Sequence, residues 1–215
     1  VLLSDLGGTA ITAVRIAGIR DEFSLIPGVR EDILEILLNL KGIILKTKRK
    51  EVSFGRLKIK GPAIITANCI QLPPDIEIVN PNHYICTIAT SNIFEIEFKF
   101  EYGTGYLLAS QNFGQKAEDF LQIDAIFMPV QKVDFKIENI YDTNNSIKEK
   151  LFLDIWTNGS ISTDDSISES VKFIVELFTS IIENKFIQEL TQIDSKSPNI
   201  LLNPHINIAI EELQL

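Results

Sequence analysis

Histidine is almost missing from this chain: only His83 and His205 are present. Cysteine is as scarce, with Cys69 and Cys86 alone, and Met128 and Trp156 are the single residues of their kinds. A histidine-dependent hydrolytic triad needs the ring set between a nucleophile and a carboxylate. His83 lies between Pro81 and an apolar strand pattern, and His205 lies in the tail, so neither suits that role. The cysteines stand seventeen positions apart, with no CxxC and no histidine at ligand spacing. That excludes the common zinc patterns and reads as two buried, reduced thiols in a reducing compartment. No apolar run reaches the roughly 18 residues that span a bilayer, so no membrane partner is expected. A charged-then-apolar leader ending in a cleavage site is absent too. The chain opens at Val1, which reads as a truncated or processed end. The net charge of −9 repels a phosphate backbone and argues against nucleic-acid binding by this chain. One basic run, Lys46, Lys48, Arg49 and Lys50, reads as a solvated hairpin tip, with contact to nucleic acid or an acidic partner as the alternative.

What is present is apolar material in regular patterns. With 215 residues and 45% hydrophobic content, the chain can build one large core or two small ones. Isoleucine outnumbers leucine, 35 to 22, and asparagine is frequent, which points to an AT-rich genome such as that of an organelle.

Residues 27–42 predict a helix. Pro27 and Gly28 mark its entry, Glu31 and Asp32 suit the first turn, and Ile33, Ile36, Leu37 and Leu40 form one apolar stripe. Lys41 and Gly42 close it. Residues 93–100 predict a half-buried antiparallel strand, with Phe94, Ile96, Phe98 and Phe100 opposed to Glu95, Glu97 and Lys99. Val133, Phe135 and Ile137 repeat the alternation over 132–138, and Leu151, Leu153 and Ile155 repeat it again. Shorter strands are expected at 10–16, 43–48, 56–60 and 84–89. A second helix is expected over 163–186, with Thr163 as N-cap and Asp164 and Asp165 in the first turn. Its stripe runs through Ile167, Val171, Ile174, Phe178, Ile181 and Ile182, widened by Phe173, Val175, Leu177 and Phe186. That is more apolar surface than one sheet face covers, so the helix is either buried on two sides or packed against another subunit. Residues 187–198 turn polar and read as a linker. The fold class is α+β, mostly antiparallel.

Chemical motifs are weak. Tyr102-Gly103-Thr104-Gly105-Tyr106 has two of the three glycines of a dinucleotide fingerprint and no helix pattern after it, so it reads as a tight turn or bulge. Asp164 and Asp165 are adjacent and share no helix face, which suits dipole partners better than metal ligands. Asn158-Gly159 is a turn dipeptide. An assembly or binding role therefore fits better than catalysis.

Longer motifs are more specific. LLSDLGGTAITAVRIAG near the start, PGVREDILEILLNLKG at 27–42, EIVNPNHYIC at 77–86, GTGY at 103–106, AIFMPVQKVDF at 125–135, TNGSISTDDSI at 157–167 and NILLNPHINIAIEELQL at 199–215 follow one another along the chain. Together they resemble the alpha subunit of bacterial and plastid DNA-directed RNA polymerases. The resemblance implies a dimerisation subdomain (sheet plus long helices) at 1–8 and 128–189, interrupted by a mostly antiparallel β insert subdomain with one helix at 9–127. A linker at 190–203 and the truncated start of a carboxy-terminal domain at 204–215 would follow. It implies a non-catalytic subunit that homodimerises and carries the beta and beta-prime subunits. The implied dimer interface uses Val171, Ile174, Phe178 and Ile181, and the implied large-subunit contacts are Leu2, Leu3, Arg30, Glu31 and Leu34. No catalytic, cofactor or metal residue is assigned here; magnesium and zinc are expected in the large subunits. Promoter DNA would be met only through the missing carboxy-terminal domain. The family's opening strand and the first part of its first helix are absent. The wording of residues 14–36 is closest to cyanobacterial and plastid forms, so the expected compartment is the plastid, otherwise the bacterial cytoplasm. The rival readings are a stand-alone α+β enzyme or ligand binder, which needs a pocket of convergent polar groups, and a nucleic-acid-binding module, which the acidic charge opposes.

Overall fold

The computed structural model describes the backbone of residues 1–19, 21–47, 49–111, 119–141 and 147–196, and the side chains of the same residues except 111, 141, 147 and 182–196. Lys48, the end of the expected linker from residue 197 on and the expected carboxy-terminal start at 204–215 lie outside the described residues. Elements follow in the order β1 (Gly7–Ile16), α1 (Ile33–Lys41), β2 (Leu45–Thr47), β3 (Ser53–Lys60), β4 (Ala63–Thr66), β5 (Ile76–Ile78), β6 (Tyr84–Ile88), β7 (Ile93–Thr104), β8 (Tyr106–Leu107), β9 (Leu121–Gln122), β10 (Ala125–Ile126), β11 (Val130–Tyr141), β12 (Ile147–Thr157) and α2 (Thr163–Lys196). The chain divides into two compact units, Val1–Val171 and Lys172–Leu215.

The α+β, antiparallel expectation holds. The main sheet runs β3-β7-β1-β2-β5, with β9 also paired to β1, and every pairing is antiparallel. β1 is its spine. It lies along β7 from Gly7↔Thr104 to Ile16↔Ile96, with a bulge between Ile11 and Ala13. The bulge frees Thr12, whose carbonyl accepts the Ile123 N–H at 2.8 Å. The Thr12 hydroxyl is fully buried and has no hydrogen-bond partner among the described residues.

The core forms where the sequence periodicities meet. α1 turns Ile33, Ile36, Leu37 and Leu40 inward against Val14 and Ile16 of β1, Ile96, Phe98 and Phe100 of β7, and Ile85, Cys86 and Ile88 of β6. Each such side chain contributes roughly 1.5–3 kcal/mol by leaving water. Phe94, Ile96, Phe98 and Phe100 all point inward as their alternation requires, and β7 continues four residues past the expected end because β1 pairs with it as far as Thr104.

Several boundaries differ from expectation. α1 begins at Ile33 rather than near Pro27, because Asp32 is its N-cap and accepts the Glu35 N–H at 2.7 Å. Residues 28–30 are instead tied to the end of β6. α2 is capped by Ser162, not Thr163: the Ser162 hydroxyl accepts the Asp165 N–H at 3.1 Å and donates to the Asp165 carboxylate at 2.7 Å. Ser162 and Asp165 have the N-cap and N3 spacing of a capping box, but the Asp165 carboxylate takes the Ser162 hydroxyl and not its backbone N–H. The helix also runs on to Lys196, so residues 187–196, expected as linker, are helical. The basic run is not a hairpin tip. Lys46 lies in β2, and the loop carrying Arg49 and Lys50 must cross from β2 to β3, which pairs with β7 on the far side of β1. The glycine motif does not close the strand at Phe100. Gly103 and Thr104 remain in β7, with Gly103 pressed against the Phe127 ring, and Gly105 makes the turn at φ +69°.

Candidate functional site

Pro27-Gly28 turns the chain into α1, with Gly28 at φ +87°. The next residues pair with the end of β6. Ala89 N–H donates to Gly28 O at 2.8 Å, Val29 bridges Ile88, and Arg30 N–H donates to Thr87 O at 3.0 Å. This pairing turns the Glu31 side chain inward. Its carboxylate accepts from the Tyr84 hydroxyl and, at 2.7 Å, from the Thr87 N–H. The Tyr84 hydroxyl also lies 2.6 Å from the Thr87 hydroxyl. Desolvation pushes the Glu31 carboxyl up, but the hydrogen bonds from Tyr84 and Thr87, with Arg30 nearby, outweigh it and hold the carboxyl below its ordinary value.

Glu31 was expected to touch a large subunit. It is 6% exposed with its carboxylate committed inside the fold, so it cannot present that carboxylate to a partner as it stands. Arg30 and Leu34 are exposed, and Leu38, one turn beyond Leu34, extends the same outer face of α1. Leu38 is not among the expected contacts, although its spacing from Leu34 places it on the same exposed face. Leu2 is half-buried and Leu3 exposed, both in a separate turn ahead of β1 closed by the Ser4 and Asp5 N–H groups on Val1 O.

The expected dimer residues Val171, Ile174, Phe178 and Ile181 form one stripe on α2 at three- and four-residue spacing, and all four are exposed. A second apolar face was not recognised from sequence. β11 and β12 form a ribbon in which Phe135 faces Leu153 and Ile137 faces Leu151. All four side chains are exposed. Their alternation was legible, but not that no other strand among the described residues pairs with the ribbon.

The remaining polar clusters hold elements together. Lys41 donates to the Tyr106 hydroxyl at 2.8 Å, and Tyr106 donates to Asp124 at 2.8 Å. Asp124 also accepts the Ala109 N–H at 2.9 Å. The Ala109 and Tyr106 hydrogen bonds, with Lys41 beside them, hold the Asp124 carboxyl below its ordinary value, and Tyr106 and Asp124 hold the Lys41 ammonium above its own. His83 Nε2 lies 2.8 Å from the Asn39 carbonyl and ties the end of α1 to the loop before β6. Cys86 is buried and its thiol is pushed up to about 12, chiefly by burial, while Cys69 is only half-buried, less than the sequence suggested.

A surface groove of about 560 Å³ is lined by Arg15, Glu95, Glu97 and Asp119 among others. Arg15 pairs with Glu97 across it, and Glu95 is paired with Arg56 and Lys58 from outside its lining. A cleft of about 340 Å³ runs past Thr9, Lys46, Arg49 and Lys50 to Ser162 and Glu169, where Arg49 pairs with Asp75 at 3.3 Å and Lys50 sits over the Tyr102 ring. Among the described residues no group of three His, Cys, Asp or Glu side chains could hold a metal ion, and no helix is long and apolar enough to cross a membrane.

What distinguishes this chain is therefore a packed β-rich body with apolar faces left open. Comparison with known proteins identifies that body. Residues 14–128 match the family model of the RNA polymerase Rpb3/RpoA insert domain. The chain is 68% identical over its whole length to the DNA-directed RNA polymerase subunit alpha of Trieres chinensis, covering 69% of that protein.

This chain belongs to the RNA polymerase alpha subunit family. It is also 65% identical to the alpha subunit of Phaeodactylum tricornutum and 49% identical to that of Porphyra purpurea, in each case over its full length and covering 69% and 67% of those proteins. The alpha-family match includes α1 and the clamped Glu31, so the best-built polar feature of the fold lies inside the matched insert domain.

Proposed function

We propose that this alpha-family chain homodimerises and serves as the platform on which the beta and beta-prime subunits of a DNA-directed RNA polymerase assemble. Open apolar surface carries the reading. α2 leaves Val171, Ile174, Phe178 and Ile181 in water, and the β11–β12 ribbon leaves Phe135, Ile137, Leu151 and Leu153 in water. Contiguous apolar faces of this kind mark subunit contacts. The dimer uses the α2 stripe. The large subunits meet the outer face of α1 through Arg30, Leu34 and Leu38, and the turn at Leu2 and Leu3. Nucleotide chemistry, with its magnesium, and structural zinc belong to the large subunits; promoter DNA is met by the carboxy-terminal domain of the full subunit. The isoleucine-rich composition and the diatom and algal relatives support a plastid enzyme.

The test is co-expression of the full-length subunit with the beta subunit of the same genome, followed by the mass of the purified complex. Two alpha chains with one beta are expected. A stable monomer that ignores beta would overturn the reading.

A further inference from the structure

We propose that Glu31 is a positioning residue for subunit docking: it does not touch the partner but holds the outer face of α1 in its docking orientation. The inference rests on the reading that α1 meets a large subunit. α1 is a short helix of nine residues, and its outer face begins at its first turn, with Arg30 just ahead of it and Leu34 within it. A free helix of this length is not stable in water, so its orientation depends on what anchors its ends and its buried stripe.

The C-terminal end is anchored by the Asn39 side chain to Ile85 O at 2.9 Å and by His83 to Asn39 O. At the other end the side-chain anchor is Glu31. One carboxylate oxygen takes the Tyr84 hydroxyl and the other takes the Thr87 N–H, so a single side chain grips two positions three residues apart along β6. The flanking backbone bond from Arg30 N–H to Thr87 O runs alongside. Arg30 on one side of Glu31 and Leu34 three residues beyond it are exposed, whereas Glu31 is buried. The carboxylate is therefore a hinge pin behind the docking face. A carboxylate buried with charge-assisted hydrogen bonds costs more to lose than a neutral pair, and its loss frees the helix start to shift.

This assigns different behaviour to neighbouring substitutions. Leu34→Asp alters the docking surface itself. Glu31→Gln keeps the shape, but turns one of the two acceptors into an NH2 donor facing either the Thr87 N–H or the Tyr84 hydroxyl. Tyr84→Phe removes one donor and leaves the Thr87 bond.

The experiment measures the affinity of the full-length subunit for the beta subunit by titration calorimetry, together with amide hydrogen exchange over residues 30–36, at a temperature where thermal melts show every variant fully folded. Leu34→Asp is expected to weaken binding with exchange unchanged. Glu31→Gln is expected to weaken binding about tenfold and to speed exchange at the start of α1. Tyr84→Phe is expected to do the same to a smaller degree, and adding it to Glu31→Gln should cost less than the sum of the two. If Leu34→Asp leaves binding intact, the docking reading of α1 falls. If Leu34→Asp weakens binding but Glu31→Gln leaves affinity within twofold, docking stands and the positioning role of Glu31 is overturned. Weaker binding by Glu31→Gln with no change in exchange would also overturn it, because the carboxylate would then act on the partner directly.

Discussion

Replacing Phe178 by Ala removes the largest side chain in the proposed dimer stripe. Phe178 is 62% exposed in the single chain. A phenylalanine side chain buries about 200 Å² when covered, so about 120 Å² of this one is still available to a partner. At about 25 cal/mol per Å² that area is worth about 3 kcal/mol, of which the alanine methyl recovers about a third. A two-fold interface uses the same patch on both chains, so the loss counts twice and reaches about 4 kcal/mol per dimer. The dimer dissociation constant should rise about a thousandfold. Sedimentation equilibrium on the full-length subunit reads this directly. Because Phe178 is exposed before association, the melting temperature of a dilute monomer should barely move. Phe178→Asp should be at least as disruptive, since it also carries a charge into the contact. A wild-type monomer at micromolar concentration, or a Phe178→Ala variant with an unchanged dissociation constant, would refute the assignment of this stripe.

Thr12→Val should stabilise the fold by about 1 kcal/mol in urea unfolding, because it deletes a buried hydroxyl with no partner among the described residues while keeping the shape; destabilisation would mean that the hydroxyl has a hydrogen bond, for example to a buried water. Gly103→Ala should destabilise by about 1–3 kcal/mol in the same assay, since its Cβ would lie 2.8 Å from the ring of buried Phe127. Asp124→Asn should cost about 1 kcal/mol at neutral pH by weakening the bonds from Ala109 and Tyr106. The Asp124 contribution follows the sign of a depressed carboxylate: it is present above the ordinary value of 3.8 and is lost as pH falls through the lower folded value. Lys41 has the opposite sign, with a contribution complete below 10.5 that is lost as pH rises through its raised folded value. Unfolding curves for the wild type and Asp124→Asn should therefore converge in acid, and divergence there would contradict the assignment.

Relative to what the amino-acid pattern implied, two of the misses share one origin. Glu31 was expected at a large-subunit contact because the family resemblance places helix 29–41 on an outer surface. It faces inward because residues 28–30 are captured by the end of β6, a partner more than fifty positions away in the chain. The basic run was expected at a hairpin tip because β2 and β3 are neighbours in sequence; long-range pairing of β3 with β7 made it a crossover loop instead. The capping of α2 by Ser162 was readable from four consecutive residues and was simply assigned one position late.

Local chemistry alone determined the strand at residues 93–100, the inward stripe of α1, the acidic first turn of α2 and the family itself. Each depends on side-chain periodicity or on ordered motifs that do not need a partner to be read. Only the tertiary structure decided which faces remain open. Val133, Phe135 and Ile137 alternate as strictly as Phe94, Ile96 and Phe98, yet Phe135 and Ile137 stay in water while Phe94, Ile96 and Phe98 are buried. Periodicity states that a face is apolar. Whether that face is covered within one chain depends on the order of strands in the sheet, which is set by the summed free energy of distant pairings and not by any one segment.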